Sequence, residues 1–369
     1  MSNLSEGDLR SYYTKFFPFN SIREWISYGG KEPLDQRECA FWFDEERFNR
    51  WSHINDMERI LSSVTQSPPE RMEIGPVYTH RLKERSSVPA GTFFAMHREL
   101  VFDIDSDDFK DIKCCCEASS ICEHCWHYMH CALDCLFMAL KENFGFKYIL
   151  PVFSGRRGVH IWVCDEKARE LQQPVREGIV KFLNLNETVR SPKFAISNCP
   201  FAEQMLKPCE KYFVKIAEEQ SIFTHEEISK KVREAVGDVC FNWIKEKLRD
   251  YHGQPFENQW ASIKDEKYQS SKKKFCEMPN YYRLIFSFTF PRLDANVTIT
   301  MNHLLKSPFS FHPKSGLISL PIPESKFDEF PPNWVPKLED LLAGDSDAEE
   351  VYRNAVKQFD EFRKRLENE

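Results

Sequence analysis

The chain has 369 residues, 41% of them apolar, and a net charge of −7. That length supports one large domain or two modest ones, and no apolar run reaches the about eighteen residues that cross a membrane. The acidic balance counts against tight autonomous binding to nucleic acid and predicts weak, salt-sensitive contact through local basic patches, reinforced by a partner subunit, with Arg156-Arg157 and Lys272-Lys273-Lys274 as candidates. The opening stretch, MSNLSEGDLRSYY, lacks a secretory signal pattern. Four of the thirteen cysteines share one cluster of metal-ligand spacing, so a reducing compartment is expected rather than a disulfide scaffold.

Taken in chain order, Ser5 with Asp8 predicts a helix cap, followed by Leu9, Tyr13 and Phe16 on one face and ended by Pro18. Tyr28-Gly29-Gly30 breaks the chain before a strand over Arg37 to Phe43. Ser67-Pro68-Pro69 reads as a loop, and strands follow near Ile74–His80 and Phe93–Ile104. A helix is predicted over Trp126–Asn143, closed by Gly145. Leu150–Phe153, a Ser-Gly-Arg-Arg-Gly turn and Val159–Cys164 read as strand, tight loop, strand. Residues 185–275 turn helical, with Thr224 and Glu227 as a capping pair and Gly253 closing a helix that carries Phe241, Ile244 and Leu248. Strands are predicted again at Tyr281–Phe290 and Ala295–Thr300. A proline-rich stretch from Pro321 to Pro336 leads to a last helix, capped by Ser346 with Glu349, whose apolar face docks on this chain or on a partner. The fold class is mixed α/β, divided into a core over 1–184 and 276–345, a helical insertion over 185–275 and a terminal helix over 346–369.

The segment Glu99-Leu-Val-Phe-Asp-Ile-Asp105 is the most informative. Alternation along a strand sends Leu100, Phe102 and Ile104 to one face and Asp103 and Asp105 to the other, about 7 Å apart at Cα. Neighbouring carboxylates on an apolar strand repel unless a cation lies between them, and paired metal ions roughly 3.5–4 Å apart need carboxylates to bridge them. The alternative is a strand end with solvated aspartates. Asp294, within Phe-Pro-Arg-Leu-Asp, is a third candidate whose alternative is an ordinary turn.

Cys114-Cys115-Cys116 precedes Cys122-Glu-His-Cys125, a spacing that suits one structural tetrahedral zinc ion. Spacing leaves open which two of the first three cysteines bind, and His124 and His127 are possible substitutes. Cys131 and Cys135 read as the buried face of a helix. Between two strands, Ser154, Arg156, Arg157 and His160 offer a hydroxyl, two guanidiniums and an imidazole around glycines that allow close backbone approach. Their alternatives are an exposed hairpin and, for His160, a core histidine. Asn302, His303, Lys306, His312 and Lys314 form a second polar group, whose default is surface charge.

These pieces, in this order, resemble the small catalytic subunit of eukaryotic DNA primase, in the archaeo-eukaryotic primase family. The resemblance rests on SYYTKFFPF, YGG, RECAF, IGPVYTHR, ELVFDID, CCCEASSICEHCW, SGRRGVHIWVCD and FPRLDANVTITMNHLLKSPFSFHPKSG. It covers most of the first 180 residues and about 280–325. It implies synthesis of short RNA primers from ribonucleoside triphosphates on a single-stranded DNA template, in the nucleus, beside a primase large subunit and the DNA polymerase alpha complex. It implies Asp103, Asp105 and Asp294 as ligands for two Mg²⁺ or Mn²⁺ ions. It implies Ser154, Arg156, Arg157, His160, Lys306 and His312 as the triphosphate grip, with Glu38, Arg50 and Glu73 lining the site. Glu73 stands where the family pattern has an aspartate. Cys115, Cys116, Cys122 and Cys125 match the zinc ligands, and Cys114 is an extra. A primase-like polymerase that only extends primers, or an inactive zinc-stabilised scaffold, are the competing functions.

Overall fold

The computed structural model describes residues 4–44, 47–63, 66–117, 121–191, 193–267, 273–331 and 333–367; Lys272 of the second basic run lies outside them. Contacts divide the chain into two compact units. The first comprises Met1–Asp103, Phe144–Val180 and Asp294–Glu369; the second comprises Ile104–Asn143 and Lys181–Leu293.

Among the described residues there are eight strands: β1 (Arg37–Trp42), β2 (Phe48–Ser52), β3 (Arg71–Tyr78), β4 (Ala95–His97), β5 (Leu100–Asp105), β6 (Ile149–Phe153), β7 (Gly158–Val163) and β8 (Leu305–Lys306). The first unit holds an antiparallel sheet ordered β2-β1-β3-β4, with β8 also on β3, where Glu73 lies opposite Lys306. A second sheet runs β5-β7-β6, and its hairpin sets Val152 opposite His160. The strand expected over Phe93–Ile104 is thus two strands. Arg98 and Glu99 interrupt it because both turn inward: Arg98 Nη1 donates to the carbonyls of Val297 and Thr300, each at 2.8 Å, and Glu99 accepts from Arg37 and Tyr28.

Ser5 and Asp8 cap the helix Glu6–Lys15 reciprocally. That helix stops before Pro18, which opens the next one, Phe19–Ser27. The last helix, Ser346–Leu366, packs on its own unit: Phe359 meets Trp25 at 5.5 Å and Phe309 at 5.3 Å. Its cap is Asp345, whose carboxylate accepts the Ala348 N–H at 2.8 Å, and not Ser346.

The second unit is helical, built mainly from Glu123–Glu142, Pro200–Glu219, Glu226–Val236, Asp238–Asp250, Phe256–Asp265 and Pro279–Thr289. His225, not Thr224, caps Glu226–Val236 through Nδ1, which accepts from Ile228 N–H. Two predicted strands are helices instead, Pro279–Thr289 and Ala295–Ile299. The aromatic, β-branched composition suggested strands. The spacing decides otherwise: buried Tyr281, Leu284, Ile285 and Phe288 fall at i, i+3, i+4 and i+7, and Pro279 starts the first turn.

Candidate active site

β5 delivers the acidic pair as alternation requires. Leu100, Phe102 and Ile104 are fully buried, while Asp103 and Asp105 are half-buried. Asp103 is tied to the third aspartate by backbone, since the Asp294 N–H donates to the Asp103 carbonyl at 3.1 Å. Asp294 is an exposed N-cap rather than a residue after a strand; its Oδ1 accepts the Asn296 N–H at 3.0 Å. Arg98 anchors the same short helix from beneath through the Val297 carbonyl. Asp105 also caps, accepting the Asp107 N–H at 2.8 Å as a short 3₁₀ turn begins.

Imidazole and cationic side chains gather beside Asp103. The His160 Nε2 lies 3.7 Å from its Oδ1. Lys306 is buried on β8, and its ammonium donates to the Ser154 carbonyl at 2.6 Å, fastening the arginine loop to the opposite segment. Gly155 permits that junction: at φ +83°, a Cβ there would sit 3.1 Å from the Leu317 carbonyl and 3.3 Å from His312 Cβ. Ser315 Oγ donates to the Gly155 carbonyl at 2.6 Å, and Ser154 Oγ accepts the Gly158 N–H. Ser154, Arg156, Lys306 and His312 are therefore brought together; Arg157 follows in the same turn, half-buried.

The electrostatics show what the group lacks. Lys306 is pushed down to about 7 by burial and by Arg71, with Arg156 adding to the drop against the pull of Glu73 and Asp103. His312 falls to about 3 through burial, Lys306, Arg156 and Arg71, and His160 falls to about 3 through burial and Lys306. Cations that depress one another bind a polyanion favourably, because its charge relieves the repulsion.

Glu38, on β1, accepts from Arg50 through both oxygens, at 2.7 and 3.0 Å, and from the Tyr78 hydroxyl at 3.1 Å. Gly75 lets this carboxylate pass close: a Cβ there would meet Leu304 Cδ2 at 2.7 Å and Glu38 at 3.1 Å. Glu73 faces Lys306 across the sheet and pairs with Arg71 at 3.0 Å.

A family model described as DNA primase small subunit matches residues 102–323. The chain belongs to the DNA primase small subunit family. It is 32% identical over 353 residues to the DNA primase small subunit of Drosophila melanogaster, covering 90% of this chain and 80% of that one. The Schizosaccharomyces pombe subunit is 31% identical over 348 residues, 90% and 76% of the two chains. The Saccharomyces cerevisiae subunit is 30% identical over 371 residues, 96% and 89%. The chain is accordingly a nucleotidyltransferase that makes primers, acting on nucleic acid and nucleoside triphosphates. None of its described helices is long and apolar enough to cross a membrane.

This primase subunit also gathers the expected thiols. The sulfurs of Cys115, Cys116, Cys122 and Cys125 all lie within 4.8 Å of one another, with Cys116–Cys125 at 3.7 Å and Cys122–Cys125 at 3.9 Å. A tetrahedral ion with sulfurs at about 2.3 Å sets them about 3.8 Å apart, so this cluster fits a metal ion. Cys114 turns away: its thiol donates to the Gln220 carbonyl at 3.1 Å, and the Gln220 side-chain oxygen accepts the Cys114 N–H at 2.9 Å. His124 and His127 face Glu219, at 3.3 and 3.4 Å, and not the sulfurs. Cys131 and Cys135 are buried as expected, and Cys209 joins them in a second thiol group.

Two site residues escaped the sequence reading. His303 was noted only as part of a polar stretch, yet burial and Arg98 lower its pKa while Asp294 and Glu73 raise it, which places it among the aspartate and lining residues. Arg71 carries no motif. Its signal was strand period alone, two residues before Glu73 on β3.

Proposed function

We propose that this chain synthesises short RNA primers on single-stranded DNA by nucleotidyl transfer assisted by two divalent ions, which Asp103, Asp105 and Asp294 would hold. Three carboxylates suit hard cations such as Mg²⁺ or Mn²⁺. When bound, such ions lower the pKa of a 3′-hydroxyl and neutralise phosphate charge. The rest of the reading concerns the chain's own side chains. Arg156, Arg157, Lys306 and His312 grip the β- and γ-phosphates, the His312 imidazole by hydrogen bonding and the other three by setting positive charge where pyrophosphate departs. Ser154 and His160 orient that end, while Glu38, Arg50, Glu73 and His303 line the nucleoside end. The single observation that carries this is the fastening of Lys306 to the Ser154 carbonyl, with His160 3.7 Å from Asp103, because it sets a phosphate grip against a metal-ligand carboxylate.

The cysteines Cys115, Cys116, Cys122 and Cys125 would hold a structural zinc ion, supported by sulfur spacing and the absence of a spare ligand position. The core over 1–184 and 276–345 carries the chemistry, and the segments 185–275 and 346–369 serve as scaffold. The partner is the primase large subunit, with the DNA polymerase alpha complex beyond it, in the nucleus. The word "small" in the relatives' names and the net charge of −7 support a template grip shared with another chain.

The test is incorporation of labelled ribonucleotide on primer-free single-stranded DNA with Mg²⁺ or Mn²⁺, with and without a large subunit. Wild type makes primers; Asp103→Ala and Asp105→Ala make none while melting like wild type. Near wild-type synthesis by either variant overturns the metal assignment. Activity only on pre-formed primers favours the extending polymerase, and none on any template favours the scaffold.

A further inference from the structure

The helical unit contains a cleft of about 720 Å³, and its lining residues all belong to that unit. Helix Pro279–Thr289 lends it Arg283, Ser287 and Phe288, helix Glu226–Val236 lends Lys231, and the segment after Leu185–Thr188 lends Arg190. Arg283 and Ser287 stand at i and i+4, one turn apart on one face of their helix. Four basic residues, Arg190, Lys231, Arg283 and Arg292, line the cleft against two acidic ones, Asp111 and Glu234. In a chain of net charge −7 this is a local excess of positive charge.

Two of the four cations already have counter-charges. Arg292 pairs with Asp111 and donates to the Asp108 carbonyl at 2.7 Å, and Lys231 meets Glu234 at 3.3 Å. The other two have no ion-pair partner among the described residues. Arg283 is latched to neutral oxygens instead: Nε donates to the Val189 carbonyl at 3.1 Å, Nη2 to the Ser191 carbonyl at 3.1 Å and Nη1 to Asn280 Oδ1 at 3.2 Å. A guanidinium carries five N–H donors, so one is left on each terminal nitrogen. The two carbonyls flank Arg190, so the same latch fixes the segment from which that exposed arginine projects. The Ser287 hydroxyl makes no hydrogen bond among the described residues. Like charges lining one cleft repel each other, and a bound anion relieves that repulsion. Guanidinium forks and a hydroxyl match phosphate oxygens. The cleft offers little to a base, because Phe288, the one ring among its described lining residues, is 1% exposed. Charge without a stacking face matches the backbone of a nucleic-acid strand better than a free nucleoside.

We propose that this cleft binds the sugar–phosphate backbone of the single-stranded DNA template, with Arg190 and Arg283 supplying the charge and Ser287 a hydrogen bond. Contacts of this kind position a strand without reading its sequence. They give the helical unit a grip on the template in addition to its role as scaffold. The proposal deepens the primase reading and rests on it for the identity of the strand.

The experiment uses the full chain with two fluorescent probes, a short oligothymidylate and an abasic strand of the same length. Arg190→Ala weakens binding of both by about fivefold at 0.1 M salt and flattens the dependence on log salt by about 0.7, one phosphate contact's share. Arg190→Lys restores most of the affinity. Arg190 has no partner to lose, so its variants melt like wild type, and Arg283→Gln repeats the loss from the second arginine. In primer synthesis the template concentration for half-maximal rate rises in step, and the ribonucleotide KM does not. Wild-type affinity and salt slope in both Arg190→Ala and Arg283→Gln overturn the proposal. So does a loss confined to the strand that carries bases, which assigns the cleft to base contacts. Weaker binding of a free ribonucleoside triphosphate to Arg190→Ala, with strand affinity intact, overturns it in favour of a nucleotide. Loss of large-subunit association with template binding intact overturns it in favour of a protein. Absence of primer synthesis by wild type overturns the primase reading, whereas the strand titrations still decide the cleft.

Discussion

Lys306 lets the proposed phosphate grip be tested on a single residue. Its pKa of about 7 in the folded chain lies below the ordinary 10.5. A lowered lysine value means that folding disfavours its charge: the penalty is absent above the ordinary value and grows as pH falls toward about 7. A triphosphate adds negative charge beside it and reverses the shift, so binding at about pH 8 takes up a proton. Calorimetry in buffers of different ionisation heat reads this directly. Net uptake approaching one proton is expected, falling in Lys306→Met, and zero uptake in wild type means that no polyanion lies near this ammonium. Glycine 75 makes a second prediction. Gly75→Ala drives a methyl into Leu304 and Glu38, at a cost of about 1–3 kcal/mol in unfolding free energy. Because Glu38 holds Arg50, the same variant raises the ribonucleotide KM.

At the scale of elements, the start of β5 is set by charge. Arg37 and Glu99 pair at 2.6 Å with both side chains buried, and Tyr28 donates to the same carboxylate. Burial pushes Glu99 up, but the Arg37 guanidinium more than offsets it and brings the carboxyl to about 2. A lowered carboxyl stabilises the fold above its ordinary 4.5, and that contribution is lost as pH falls toward about 2. Removing one partner of such a pair costs about 3–5 kcal/mol, so Glu99→Gln lowers the midpoint of thermal unfolding near neutrality and flattens the acid loss in that window. An unchanged acid profile removes the pair from β5's support. The sequence made part of this legible. β5's alternation of Leu100, Phe102 and Ile104 against two aspartates was readable because a strand's period needs no partner. The Arg98-Glu99 break was not, since only distant carbonyls and a distant arginine give those charges a buried place. Residues 281–290 misled for another reason: rings and Ile285 suit strands by composition, whereas the period of Tyr281, Leu284, Ile285 and Phe288 is helical. The sulfur cluster was legible from spacing, yet only Gln220, more than a hundred positions away, shows that Cys114 points elsewhere.

For the molecule as a whole, charge sets how the chain meets nucleic acid. A net charge of −7 supplies no general attraction to a polyanion, so template binding depends on a few local cations whose partners are not carboxylates. Each phosphate neutralised on a single strand contributes about −0.7 to the slope of log affinity against log salt, and three or four contacts give roughly −2 to −3. Anisotropy titrations of the full chain with single-stranded DNA across a salt series measure that slope. A much steeper one requires a basic surface that this charge balance does not provide, and a flat one leaves the template held by base contacts alone. The cysteine cluster offers an independent control, because its four thiols lie in the helical unit and the basic side chains proposed to grip phosphate lie in the other. Stripping metal with a chelator lowers the thermal midpoint of the chain, as expected when binding energy is folding energy, and elemental analysis before treatment gives about one zinc per chain. If the metal-free chain melts like the untreated one, the four thiols are only buried cysteines. If it melts lower but triphosphate-linked proton uptake at Lys306 persists below the new midpoint, the metal acts on stability and not on the phosphate grip.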